Sequence, residues 1–474
     1  MGPGGAGPPG SLRERKNGMQ QKSRSNHMFL FFVVLSAFFV AASFAHPVTP
    51  TLIKEYDLND YMFGVALAAM QTTNFLFSPF WGKLNNYISS RQAMLVCGIG
   101  YAVGQALFGM ARTEAMVIFA RAFAGFFTGG AFVSFLTYVV NTSSDNDRGK
   151  NLTISATIQS VAGAFGYFVG GFLGEIGLGV TFAAQSICLA ACGVFFFFFC
   201  KDDRKVGVGK LQMGDLIHDA NPFAAFVQSR QFMSVLFAVL FTVTVLQNVG
   251  YNAFEQCFNY FIKDEFGLTS KYNGLIKGVI GFVSLTANAT ICMWMIRRTN
   301  VRRSVIYVLM TCTLTSLGVV FSNAVVPFMT VSVLFYAFNA VSIPLLQDMV
   351  AKRAQNGKDS NLIMGFYNAT KSLGGIIGSL SAGFLYTVNS KLTFVVTAVV
   401  FFGAVIFSTI YSKMKDPAES PEQAPASSRR VLFPGAAWCV PAVSLFVHLK
   451  GVFPCHEKII PTAYDLFLPG THPL

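Results

Sequence analysis

Two basic side chains lie inside stretches of otherwise apolar sequence. Lys371 follows Leu362 by nine positions, which on a helix rising 1.5 Å per residue puts it about 13 Å into a hydrocarbon layer about 30 Å thick. Arg121 follows Ala115 by six positions, about 9 Å along another such stretch. A charge at the centre of a bilayer costs roughly 2.5–3.5 kcal/mol on insertion scales, so each side chain should face protein or water unless it snorkels to a surface. A lysine held there could attract an anionic solute, or exchange its proton where desolvation disfavours the charge, or simply reach toward water. Gln159 holds the place in a second stretch that corresponds to Lys371, which would set the two across one cavity. Gln71, Asn74, Gln247 and Asn339 add neutral groups that could hydrogen-bond a solute or tie helices together. Glu175, Glu255 and Asp348 fall near the ends of their stretches, leaving no carboxylate at the midplane for a proton relay.

The elements that carry these groups are those of an all-α membrane protein. The chain is 53% apolar and only 12% charged, against roughly a quarter charged in soluble proteins. Twelve apolar stretches of about 20 residues recur, for example 62–81, 152–174, 232–256 and 362–386, with glycine, proline and charge between them. A first six-helix bundle is expected over 28–200 and a second over 232–413, joined by a polar linker at 201–231. Residues 1–27 open with a Gly/Pro-rich run and read as a disordered cytoplasmic segment; 414–474 read as a cytoplasmic tail, mostly disordered.

The two halves look like copies of each other. Offset by 210, Glu55, Leu58 and Gly64 fall on Glu265, Leu268 and Gly274; offset by 212, Gly163, Gly166 and Gly171 fall on Gly375, Gly378 and Gly383. Glycine is the poorest helix former after proline, yet between helices in lipid it permits close backbone contact. The stripes Gly163, Gly166, Gly170 and Gly171 and Gly374, Gly375 and Gly378 are therefore expected to let each half rock against the other.

The net charge of +13 is a topology signal rather than a nucleic-acid footprint, because lysine and arginine concentrate in every second loop. Lys83 and Arg91, Arg148 and Lys150, the 201–231 linker, Arg297 to Arg303, and Lys352 to Lys358 mark one face, so both termini are expected in the cytoplasm. The nine cysteines form no Cys-x-x-Cys pair or metal-ligand spacing, and no phosphate-binding loop is present, so no metal, cofactor or ATP-driven step is expected. No nucleophile–base or paired-carboxylate arrangement suggests an enzyme.

Three local patterns carry a family resemblance over about 28–413. "GKLNNYISSR" (82–91) keeps Gly82 and Arg91 of a Gly-x-x-x-Asp-Arg-x-Gly-Arg-Arg/Lys loop, with neutral Asn86 at the acidic position. "RAFAGFFTGG" (121–130) resembles Arg-x-x-x-Gly-x-x-x-Gly, and "GYFVGG" (166–171) resembles Gly-Pro-x-x-Gly-Gly with Tyr167 in place of proline. Two six-helix halves with these patterns resemble the major facilitator superfamily, nearest to its twelve-helix drug:proton antiporters. The resemblance implies the major facilitator fold, with twelve transmembrane helices in two pseudo-symmetric bundles, and a monomer that moves a small-molecule solute by alternating access. It also implies that Arg121 lines the path or tunes proton transfer, and that the cargo is an amphipathic compound exported in exchange for protons. Uptake or exchange of a small organic anion held by Lys371 and Arg121 is the alternative, and a receptor-like membrane protein that moves nothing is the third.

Overall fold

The computed structural model describes residues 12–203, 221–354 and 360–414, and the described residues in regular structure are all helical. The expectations for residues 1–11, the linker centre 204–220 and the tail 415–474 fall outside them. Residues 12–27, expected to be disordered, instead extend the first helix, α1 (Leu12–Ala42). After Pro9 the segment is rich in arginine, lysine and glutamine, good helix formers, and no proline interrupts it before the apolar part.

A short helix α2 (Thr49–Glu55) leads to α3 (Met62–Leu84), α4 (Ser90–Met110), α5 (Glu114–Thr142), α6 (Asp145–Ile176) and α7 (Leu178–Phe199). The second half opens with the short α8 (Ala224–Gln228). It continues with α9 (Val235–Asp264), α10 (Ser270–Arg298, with a π-helical turn at Asn288–Cys292), α11 (Val301–Phe321), α12 (Val325–Ala354), α13 (Ser360–Val388) and α14 (Leu392–Lys413). Helix starts follow local chemistry: the Thr113, Ser144 and Ser234 hydroxyls each accept from a backbone N–H in the first turn, and Ser89 with Gln92 forms a reciprocal cap at α4. Gly177, at φ +150°, lets α6 end and α7 begin on one residue.

Among the described residues nine helices are long and apolar enough to cross a bilayer. The long helices outside that set are α1, apolar from His27 to Ala42, and α3 and α13, which carry Gln71 to Asn74 and Asn368 to Ser372 at mid-length. The last two pack on each other across the halves, so their polar mid-length residues need not face lipid. Phe29, Met110, Ile187, Phe198, Phe282, Tyr307 and Phe321 point outward, as a lipid-facing belt requires.

The same packing scheme occurs twice. In the first half α1 packs on α6 and α7, α4 on α5 and α7, and α3 on α5; in the second, α9 packs on α13 and α14, α11 on α12 and α14, and α10 on α12. The halves meet along two related seams, α3 with α13 and α6 with α10. At these seams the two sequence-matched glycine pairs meet crosswise. A Cβ on Gly64 would lie 2.8 Å from the Gly383 nitrogen and collide with the Ser379 carbonyl; one on Gly274 would lie 2.7 Å from the Tyr167 carbonyl and 3.0 Å from Gly171 Cα.

The expectation that whole glycine stripes face the opposite half is corrected here. Gly163, Gly166 and Gly170 lie against Ser43, Val40 and Phe44 of the α1 segment, and Gly374 and Gly378 against Val245 to Ala253 of α9, all within their own halves. Gly171 and Gly375 cross, the first onto α10 and the second onto Gln71 of α3. On a helix turning about 100° per residue, i, i+3 and i+7 share a face while the adjacent position turns toward another neighbour.

Candidate functional site

The halves are tied at the end of the bundle opposite the Lys/Arg-rich loops, here called the far end. Lys54, after α1, bonds Asp264 of α9 at 2.7 Å and Asp60 at 3.1 Å, and the Tyr260 hydroxyl donates to Asp60. Thr51 meets Ser270 at 3.0 Å, Glu175 accepts from the Lys271 N–H at 3.1 Å, and Tyr61 stacks on Phe384 at 5.4 Å. Burial opposes the charge on Lys54, but its bonds to Asp264 and Asp60 outweigh that and raise its pKa. Toward the basic end, α13 exposes Gly365 and Asn368, a polar stripe, whereas its lipid stripe is Ile377, Phe384 and Val388. The cleft between the halves is therefore closed at the far end and polar toward the basic end.

Beneath the far-end ties lies a buried polar layer built from both halves. Arg121 on α5 is 4% exposed; its guanidinium stacks 3.6 Å from the Phe108 ring centre and donates to Thr49 Oγ1 at 3.3 Å. It has no acidic partner among the described residues, and its Nε has no acceptor. It borders a cavity of about 20 Å³, room for one water, shared with His46 and Thr49 from the first half and Gln256, Asn259 and Tyr260 from the second.

Behind Asn259, which lines that cavity, stands an ion pair absent from the sequence expectations. Lys277 Nζ on α10 lies 2.6 Å from Glu255 Oε2 on α9, their side chains 6% and 13% exposed, and also donates to the Tyr336 hydroxyl of α12 at 2.9 Å. Asn259 donates to Glu255 at 3.2 Å, and the Tyr167 hydroxyl reaches it from the other half at 3.5 Å. The His46 ring stacks on Tyr167 at 5.0 Å. The expectation that Glu255 sits at a helix end is corrected: α9 continues to Asp264, nine residues further, about 13 Å beyond Glu255. Hydropathy ends the helix where polar residues begin, but Glu255, Asn259 and Asp264 find partners inside the protein and the backbone helix continues. Lys277 was open to the depth argument applied to Lys371, being seven residues into α10, about 10 Å.

Lys371 is half-buried on α13, its ammonium 5.6 Å from the Tyr367 ring centre and without an acidic partner among the described residues. Nearby, Gln71 bonds Asn252 at 3.5 Å across the halves, and Gln71 Oε1 is buried without a donor. Gln159 is exposed on α6, with no bond to Lys371. Gln247 and Asn339 are buried inside the second half, joined at 2.8 Å, with Asn248 donating to Gln247 at 2.9 Å. Asn74 accepts from Ser78 on its own helix, at 3.3 Å through its side-chain oxygen. Gly82 and Arg91 lie at the basic end, where Arg91 pairs with Asp202 at 2.8 Å. The acid that Asn86 does not provide there comes from Asp203, which accepts from the Ser90 N–H at 2.7 Å, the Ser90 hydroxyl at 2.6 Å and Asn141 at 3.0 Å.

The sequence pattern of the Major Facilitator Superfamily matches residues 30–357 and 291–453. The chain belongs to the major facilitator superfamily. It is similar to Multidrug resistance protein 2 of Bacillus subtilis (strain 168), 20% identical over 404 residues that cover 84% of this chain and 99% of that protein. It is also similar to Quinolone resistance protein NorA of Staphylococcus aureus (strain MSSA476), 19% identical over 77% of this chain and 91% of the relative. Among solved structures, the human organic anion transporter MFSD10 (TETRAN) superposes with a TM-score of 0.59 at 16% identity, over 81% of this chain and 99% of that one. A bacterial homolog of the human lysosomal transporter Spinster, in an inward-facing and occupied conformation, gives 0.63 at 12% identity, over 82% and 97%. The solved structures show the fold, and membership of the family makes the chain a multi-pass membrane transporter of a small molecule.

Proposed function

We propose that this protein is a secondary transporter that carries a small organic anion by alternating access, with the basic end and both termini in the cytoplasm. One observation carries the reading: among the described residues, Arg121 and Lys277 near the far end and Lys371 further toward the basic end place three cations inside the bundle against one buried carboxylate beside them, Glu255. Two positive charges thus remain uncompensated where lipid surrounds the bundle, and a mobile anion is the partner that removes the cost. Tyr367, whose ring lies 5.6 Å from the Lys371 ammonium, and the partly buried Tyr251 give this region aromatic character, which suits an anion with an apolar body. The far-end ties close one side and the polar cleft opens toward the other, and the sidedness follows the basic loops. The name of MFSD10, an organic anion transporter, agrees with this reading; the names of the resistance proteins favour proton-coupled export of an amphipathic compound instead.

Reconstituted vesicles separate the two. Flux of 1-naphthoate should exceed that of its neutral isostere 1-naphthamide, and Lys371→Ala should cut naphthoate flux at least tenfold while leaving any naphthamide flux within about twofold. Naphthamide efflux that Lys371→Ala spares, with no naphthoate flux in the wild type, would overturn the anion reading in favour of export; no flux of either would favour a receptor.

A further inference from the structure

Glu255 and Lys277 form the most buried ion pair in the molecule among the described residues, and packing alone does not account for it. Replacing such a pair by apolar groups is often neutral or stabilising, whereas removing one partner is costly, so burial by itself is weak evidence for a structural role. The pair also reaches across the moving seam. Its direct partners Asn259 and Tyr336 belong to the second half, but the Tyr167 hydroxyl comes from α6 of the first, one residue from Gly166 and four from the Gly171 crossing. Tyr167 is the residue that departs from the Gly-Pro-x-x-Gly-Gly pattern, and the position that lacks proline is the one that touches the carboxylate.

Resting on the anion reading, we infer that Lys277 is a second anion site whose resident counter-ion, Glu255, is a tethered stand-in for the cargo. When the far end opens and α6 leaves α10, Tyr167 withdraws from Glu255. A carboxylate of the incoming solute takes the place of Glu255 on Lys277 and Tyr336, and Glu255, left without its cation, binds one proton. The site goes from one ammonium and one carboxylate to one ammonium, one solute carboxylate and one neutral carboxyl, so proton and anion are bound together and travel together. The exchange is electroneutral, and its sense is symport: solute binding draws a proton in rather than expelling one. The other titratable groups facing the pair are His46 between α1 and α2, Arg121 on α5, Tyr167 on α6, Tyr251 on α9 and Tyr336 on α12. Among the described groups at this site, Glu255 is the one carboxylate.

The test titrates the purified full chain, in weakly buffered detergent with a pH indicator, with 1-naphthoate. Wild type should take up about one proton per anion bound; proton release on binding would mean that the two compete, and would overturn the proposal. Glu255→Gln, which removes the competing carboxylate, should bind naphthoate at least about threefold more tightly than wild type at neutral pH while taking up fewer than about a tenth as many protons; weaker binding or undiminished proton uptake overturns the role of Glu255. Because Lys277→Gln alone strands a buried carboxylate, the double variant Glu255→Gln/Lys277→Gln keeps the fold testable, and it should bind at least about tenfold more weakly. Unchanged affinity in that variant overturns the anion site. If wild type binds no naphthoate, the anion reading fails and the counter-ion exchange with it. Glu255 is then judged without ligand: acidification should raise a protonated-carboxyl infrared band that Glu255→Gln lacks, and the same band in both overturns its assignment as the proton site.

Discussion

Gly274→Ala isolates the seam between the halves. The added Cβ would stand 2.7 Å from the Tyr167 carbonyl, 3.0 Å from Gly171 Cα and 3.1 Å from the Phe168 carbonyl. All three are backbone atoms, so no rotamer change relieves the crowding and α10 must retreat from α6. Overpacking of this kind costs about 1–3 kcal/mol. That cost exists only while the far end is closed, because the same glycine faces open space once the halves part there. A cost of about 2 kcal/mol therefore lowers the closed-to-open ratio by roughly 30-fold. The measurement is pulsed electron spin resonance between labels at the exposed positions Glu55 and Glu265, on opposite halves of the far end. The long-distance population should grow in Gly274→Ala and in Gly64→Ala, its counterpart at the other seam. Gly166→Ala, which crowds the Val40 carbonyl of α1 within one half, should lower thermal stability and leave the distances alone. Unchanged distances in Gly274→Ala, or an equal shift in Gly166→Ala, would refute the assignment of the crossed glycines to the moving seam.

The Lys54 clamp has a defined pH window. Its folded pKa lies above the ordinary 10.5, so its contribution is fully present below that value and is lost as pH rises through the raised one; the Glu55–Glu265 distance should stay constant up to about pH 10 and lengthen above it, and lengthening already near neutrality would contradict the clamp. Gln247 and Asn339 should behave as an internal tie: Asn339→Leu leaves the Gln247 amide N–H without its acceptor and should cost about 1–3 kcal/mol in denaturation, and the double Leu variant should recover most of it with naphthoate flux intact. Loss of flux in the stable double variant would place them on the path.

Much of the architecture is legible in the sequence, because a lipid solvent leaves few solutions. Backbone groups without water must pair within their own helix, so runs of apolar residues give the helices, and a matched spacing of Gly64 with Gly274 and Gly171 with Gly383 gives the duplication. How far Arg121 and Lys371 stand along their helices follows from helical rise alone. Which glycine meets which does not. Along one chain Gly64 resembles Gly274, but in space it meets Gly383, since a twofold-related seam pairs each element with the partner of its copy. Glu255 and Lys277 lie 22 positions apart on successive helices, and neither residue type nor spacing says that they touch. A charge reads as the end of a hydrophobic segment until tertiary structure supplies its counter-charge, and only the packing of α9, α10 and α12 brings that counter-charge to 2.6 Å.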